Sequence, residues 1–202
     1  MCIRDRSDTD QPNWAKTVDF AESFSEELLA LKKLAGNAPK GAPTKIGNKF
    51  CAVSELFDVQ YGTNLELLRL QKCAAGVNFV SRTAKNNGVT AKVAPLGDLL
   101  PAAGYALSVA AGGSVLETFV QFEPFYSGRD MYVLRPKEKM TPEELMFYAF
   151  CVRANQWRYS YGRQANRTLK NLQIPARTSI PSWVYGALGR VADVLIERLA
   201  PE

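Results

Sequence analysis

The chain has no histidine, and its four cysteines, Cys2, Cys51, Cys73 and Cys151, are scattered without a CxxC pair. The usual zinc-ligand spacings are therefore absent. The commonest general base is missing too, which removes most serine and cysteine triads. No apolar run approaches the roughly 18 residues of a membrane span. With no recognisable secretory signal and no cysteine framework, the expectation is a cytoplasmic protein with reduced thiols and no membrane partner. Acid is also missing over a long interval. No Asp or Glu lies between Leu145 and Val191, whereas Arg153, Arg158, Arg163, Arg167, Lys170, Arg177 and Arg190 all do.

The densest part of that interval, residues 157–170, gathers Trp157, Arg158, Tyr159, Tyr161, Arg163, Gln164, Asn166, Arg167 and Lys170 around Gly162. Arg forks bidentately onto phosphate or a guanine edge, and Asn or Gln does the same for adenine, so these are the parts of a base-reading surface. The other reading is a cationic helix end, with positive charge on the last carbonyls and Gly162 as the cap. Over all 202 residues the net charge of +5 and the pI of about 9.0 allow an anionic partner without requiring one. That length suits one substantial core plus an appendage.

Along the chain, residues 1–13 are polar and aperiodic, and residues 1–6 read as translated adapter sequence, so they are set aside from the fold. Residues 15–34 predict an amphipathic helix with Phe20, Phe24, Leu28 and Leu31 at three- and four-residue steps. Two glycines and two prolines in residues 35–43 mark a linker. A short helical turn at 54–56 leads into a strand at 57–61, and 64–70 holds a helical turn. A strand at 78–80 runs to Asn87-Gly88, a tight-turn pair that tolerates positive φ, and 89–93 returns. Strands follow at 105–111, 115–122 and 131–134, with 125–130 read as a turn. Thr141, Pro142 and Glu144 form a capping box with proline at the first helical position. That helix is expected to run to about residue 159. After a segment ending at Pro175, Ser182 is expected to cap a last helix of about five turns. Phe57, Val59, Val109, Phe119, Val133, Phe147 and Phe150 are the expected core. The fold class is thus α+β, a single domain of short, mostly antiparallel strands with flanking helices and a C-terminal helix. Its divisions fall at 1–44, 45–181 and 182–202.

Nothing in the chain assembles a catalytic constellation. Gly112-Gly113-Ser114 lacks both the phosphate-loop and the dinucleotide-loop spacing and reads as a turn or bulge. The neighbouring Glu143 and Glu144 suit a helix start better than a metal.

Taken in order, residues 56–62 (Leu-Phe-Asp-Val-Gln-Tyr-Gly), 79–83 (Phe-Val-Ser-Arg-Thr), 86–88 (Asn-Asn-Gly), 107–114, 125–134, 159–163 (Tyr-Ser-Tyr-Gly-Arg) and 172–175 (Leu-Gln-Ile-Pro) form a series. The series resembles the target recognition domain of DNA specificity subunits in type I restriction-modification systems, over residues 45–181. The resemblance implies a non-catalytic module that reads half of a bipartite duplex-DNA target in phage defence. A partner methyltransferase subunit with S-adenosylmethionine would modify adenine and a restriction subunit would cleave, with no cofactor on this chain. The family's full-length subunit carries two such domains separated by long helices, whereas this sequence shows one. The chain is then either a half-subunit whose homodimer through the C-terminal helix reads a palindrome, or a fragment of a longer protein.

Base contacts do not transfer residue by residue within such a family, so the candidates come from chemistry. Arg82, Lys85, Asn86 and Asn87 lie at a predicted hairpin tip, and Arg163, Gln164, Asn166 and Arg167 carry base-edge or phosphate donors. Tyr161 and Lys170 are the candidates for backbone contacts. The competing readings are that Asn86-Asn87-Gly88 is only a good turn and that Gln164 to Asn166 caps the next helix. At the level of function, the alternative is a protein-interaction adaptor that has lost base readout.

Overall fold

The structure is a computed structural model that describes residues 25–159 and 165–199. The first described helix, α1 (Ser25–Leu34), precedes β1 (Phe50–Ala52), the single turn α2 (Val53–Leu56), β2 (Phe57–Tyr61), β3 (Lys72–Val80) and β4 (Val89–Val93). Then come β5 (Ala106–Ala110), β6 (Thr118–Gln121), β7 (Phe125–Ser127), β8 (Met131–Pro136), α3 (Pro142–Arg153), β9 (Gln173–Pro175) and α4 (Ala187–Leu199). The expected helix over 15–34 falls outside the described residues before Ser25. Among the described residues no helix is long and apolar enough to cross a membrane.

An antiparallel four-stranded sheet in the order β2-β8-β5-β6 forms the middle layer. Every residue of β5 is buried, because both faces of the sheet are covered. On one face Leu107, Val109, Val120, Leu134 and Phe57 pack with Leu145, Tyr148 and Val152 of α3 and with Leu169, Leu172, Ile174 and Ile180. On the other, Ala106, Ala110, Met131 and Val133 meet Val80 and Phe125 of a second sheet, ordered β4-β3-β7. Alternation along a strand sends neighbouring side chains to opposite faces, so one five-residue strand serves both cores. A third cluster, Phe79, Val93 and Tyr126, closes the outer face of the second sheet beneath Leu65, Leu67, Leu70 and Leu96.

The capping box at α3 is present: Thr141 Oγ1 accepts from Glu144 N at 3.2 Å and Glu144 Oε2 accepts from Thr141 N at 2.8 Å. The two acids after Pro142 do more than favour the helix dipole. Glu143 is 2% exposed and accepts from the backbone N–H groups of Gly36, Gly186 and Leu188, each at 2.9 Å. Glu144, also 2% exposed, accepts from Arg177 Nε at 2.9 Å and Nη2 at 3.1 Å. Its bond to the Arg177 guanidinium, reinforced by Glu138, raises the arginine pKa against the opposing effect of burial.

Several expectations are corrected. Ser182 does not cap the last helix: residues 182–184 form a separate 3₁₀ turn, Gly186 takes φ +72°, and the carboxylate of Glu143 receives the N–H groups at the start of α4. Helix α3 stops at Arg153 rather than near 159, because Asn155 turns its amide back onto Cys151 O at 2.9 Å. A single 3₁₀ turn then covers Gln156–Arg158. Residues 125–127 are a strand rather than part of a turn, paired in parallel with β3 through Phe125, Tyr126 and Ser127. Phe150 is 68% exposed, beside Phe119 and Phe122 at the sheet edge rather than in the core. Val59 and Phe119 are only partly buried, whereas Phe57, Val109, Val133 and Phe147 are core.

Removing the Glu143 carboxylate leaves three amides without their charged acceptor. A hydrogen bond to a charged group contributes about 1.5–3 kcal/mol, and helix-start amides regain water, so Glu143→Ala should lose about 2–4 kcal/mol in urea unfolding. Amide exchange should rise first in α4. Burial pushes the Cys151 thiol from 9.0 up to about 12. The folded state therefore holds this proton more tightly, and its contribution is complete below pH 9 and disappears as pH rises toward 12. Stability measured from pH 8 to 11 should fall, and less steeply in Cys151→Ala.

Candidate nucleic-acid interface

The loops at one end of the middle sheet converge on Asp130. Its side chain accepts from Arg82 Nη1 at 2.7 Å, and its backbone N–H donates to the Tyr61 hydroxyl at 2.9 Å. Its carbonyl accepts from Ala111 N at 2.7 Å, and Ala111 O in turn accepts from Ala165 N at 3.0 Å. Tyr132 stacks edge-on against Tyr61 at 5.2 Å and donates to Asn166 O at 3.3 Å. Burial first, then Tyr61 and Asp130, raise the Tyr132 pKa, so the phenol keeps its proton. Four segments distant in sequence, 61–66, 81–88, 111–117 and 127–131, thus reach one place, and the 165–172 segment is tied to them.

Backbone conformation at this end is unusual. Asn64, Leu116 and Asp130 take φ of 55°, 60° and 54°, and Gly113 takes 68°. Left-handed conformations at non-glycine residues persist only when surrounding contacts fix them, and they concentrate at functional sites. Leu116 is held by full burial and by its N–H bond to Ala110 O. Gly62 permits close approach, since a Cβ there would lie 2.0 Å from Ser127 Oγ and 3.2 Å from Met131 O.

Of the residues singled out from sequence, Arg82 and Asn166 are brought together here, with Arg167 adjacent and exposed. Asn86 and Asn87 lie at a 3₁₀ turn with φ of 49° and 52°, and their amides are engaged. Asn86 Nδ2 donates to Val89 O at 2.8 Å, Asn87 Nδ2 to Val120 O at 2.9 Å, and Asn87 O accepts from Gln121 Nε2 at 2.8 Å. The turn is pinned to β6, and Lys85 is its exposed cation. Lys170 lies apart from Tyr61: Leu172 O accepts from Val53 N at 2.9 Å, which places this stretch beside the opposite end of β2. Tyr161, Arg163 and Gln164 fall outside the described residues.

The absence of acid from the segment does not leave every cation unpaired. Arg153 pairs with Glu117 at 3.2 Å, Arg177 with Glu144 and Glu138 at 2.9 Å, and Arg190 donates to the Trp183 and Tyr185 carbonyls. Arg158 sits over the Trp157 ring at 5.1 Å. Among the described residues of the segment, Arg158, Arg167, Lys170 and Arg190 form no ion pair. Reading the sequence alone missed Tyr61, Tyr132 and Gly62; it offered Arg129 or an arginine of the basic segment as the partner of Asp130, whereas the partner is Arg82. The Tyr61-Gly62 pair at a strand end was the available signal.

A second surface is apolar. Ile46, Phe150, Trp183 and Val191 line a groove of about 540 Å³ between α3 and α4, and Val194 and Leu195 extend it along α4. The two terminal helices pack on each other, with Lys32 Nζ 2.5 Å from Asp193 Oδ1 and Ala192 fully buried.

No family model matches the chain. In sequence it is similar to the type II restriction enzyme specificity subunit S.BcgI of Heyndrickxia coagulans, 26% identical over 136 residues, which are 66% of this chain and 40% of that protein. In structure it is similar to the type I restriction-modification S subunit from M. genitalium, at TM-score 0.53 and 13% identity over 93% of this chain and 50% of that one. The HsdS subunit from Thermoanaerobacter tengcongensis gives TM-score 0.53 and 16% identity over 92% and 45%. The chain spans 40% to 50% of the length of these proteins. Over that span it shares with these S subunits an α+β fold of mostly antiparallel sheets with flanking helices.

Arg82 and Asp130 are 42% and 26% exposed, and ion pairs of that kind contribute about 0–1 kcal/mol. Arg82→Ala should therefore move the unfolding free energy by less than about 1 kcal/mol. Gly62→Ala, which drives a methyl into Ser127, should cost about 1–3 kcal/mol. Parallel urea titrations of the two variants check both values.

Proposed function

We propose that the chain is a sequence-specific duplex-DNA-binding specificity subunit, or half-subunit, of a type I-like restriction-modification system. In that role it directs a partner adenine methyltransferase and a restriction subunit to their target and performs no chemistry itself. The observation that carries this reading is the loop cluster at one sheet end of a fold shared with specificity subunits. That end presents Arg82 and Asn166, with Arg167 beside them. Arg167, exposed and without an ion pair among the described residues, is suited to phosphate. The buried core holds this end rigid, as base reading requires.

The apolar groove at Phe150 and Trp183 supports docking of a protein subunit, and the exposed Val191, Val194 and Leu195 of α4 support a two-fold pair of chains. A two-fold pair would supply the second reading domain and would read a palindrome. An adaptor without base readout would use the same groove, and the DNA experiment separates the two.

The test is selection of bound duplexes from a random pool, with and without a type I methyltransferase subunit, at two salt concentrations. A short motif that persists at the higher salt is the expected result, because non-specific phosphate binding collapses with salt. A palindromic motif would accompany the dimer. Uniform retention of all sequences overturns the reading. Arg167→Ala should weaken binding about equally on every duplex and reduce the slope of log affinity against log salt by about 1.

A further inference from the structure

We infer that Arg82 is a guanine-reading side chain and that Asp130 is its positioning residue. The inference rests on the duplex-reading function proposed above and assigns a base and a division of labour within that surface. Two roles compete for an exposed arginine on a DNA-binding face. A phosphate contact depends on net positive charge, because binding is driven by the counterions it displaces. Arg82 carries a carboxylate at 2.7 Å, which cancels most of that charge and is itself repelled by a phosphate backbone. Arg167 and Lys170 carry no such acid among the described residues. A base contact depends instead on direction, since guanine presents its O6 and N7 acceptors to one planar fork.

The geometry supplies direction. A guanidinium has five N–H donors in a fixed plane, and Asp130 Oδ2 occupies Nη1 only. Among the described residues the edge formed by Nε and Nη2 has no hydrogen-bond partner, and that edge is itself a two-donor fork. Asp130 is in turn fixed from several sides. The Tyr61 hydroxyl accepts its backbone N–H at 2.9 Å and lies 3.4 Å from Oδ1, while Ala111 N holds its carbonyl. Its left-handed backbone, φ 54°, aims the carboxylate at Arg82 in a conformation Asp tolerates better than most residues. Gly112 and Gly113 lie directly against the pair. A Cβ at Gly112 would lie 3.4 Å from both Arg82 Nη1 and Asp130 Oδ2, and one at Gly113 would lie 3.5 Å from Arg82 Cβ.

The experiment repeats the duplex selection with the full chain and its methyltransferase partner for wild type, Arg82→Ala, Arg82→Lys and Asp130→Ala. Wild type is expected to enrich a motif that contains guanine. In Arg82→Ala one guanine position should lose its preference while the others keep theirs, with affinity for the wild-type site falling about 5- to 150-fold. Arg82→Lys retains charge but not the fork, so it should flatten the same position and leave non-specific affinity unchanged. Asp130→Ala should weaken that position while leaving binding to random duplex equal or tighter, which simple loss of folding would not do. Thermal unfolding of each variant confirms that the domain is intact. An Arg82→Lys profile identical to wild type, or an Arg82→Ala loss spread equally over all sequences, overturns the inference while leaving the DNA-reading function standing. A wild type that enriches no motif overturns both.

Discussion

Two adjacent carboxylates that cannot reach bulk water hold the described C-terminal half of this molecule in place. Glu143 and Glu144 open α3 from buried positions, where an unpaired charge would be prohibitive. Each is satisfied from elsewhere in the chain. Glu143 takes the amides of Gly36, Gly186 and Leu188, and Glu144 takes the Arg177 fork. Because one side chain caps a helix that begins more than 40 residues later and also receives the linker after α1, the terminal helices cannot shift without exposing a charge. The same contacts fix the groove between α3 and α4, where Phe150 and Trp183 remain uncovered.

From that anchor the architecture leads to the loop end. A middle sheet buried on both faces leaves its strand ends as the places where side chains escape the core, and one end collects strained backbone at Asn64, Leu116 and Asp130. Strain at those positions is balanced by ordinary packing beneath them, as the complete burial of Leu116 illustrates. In the proposed reading this is preorganisation. The donors are placed before any duplex arrives, so less freedom is lost on binding.

Local chemistry was legible in the sequence. The Thr141-Pro142-Glu144 box, the strands at Phe57–Tyr61 and Val89–Val93 and the turn at Asn87-Gly88 each depend on neighbours within a few residues, and each is present. What escaped depends on distant partners. The parallel pairing of Phe125–Ser127 needs β3, the start of α4 needs Glu143, and the exposure of Phe150 follows from which arc of α3 meets the sheet. The site divides in the same way. Arg82 stood out by type and position, but its carboxylate partner lies 48 residues away, and Tyr61 and Tyr132 meet only once β2 and β8 pair. The acid-free interval was a true feature of the sequence and an incomplete one of the surface, because Glu117, Glu138 and Glu144 reach into it from outside.

The Arg82–Asp130 pair lies above the core rather than inside it, and an exposed pair of this kind contributes little to holding the chain folded. A contact on which folding does not depend is open to mutational drift. Substitution of the Arg82 side chain leaves Glu143, Glu144 and both faces of β5 untouched. In the proposed reading, the sequence recognised can therefore change at this pair without first acquiring compensating stability elsewhere.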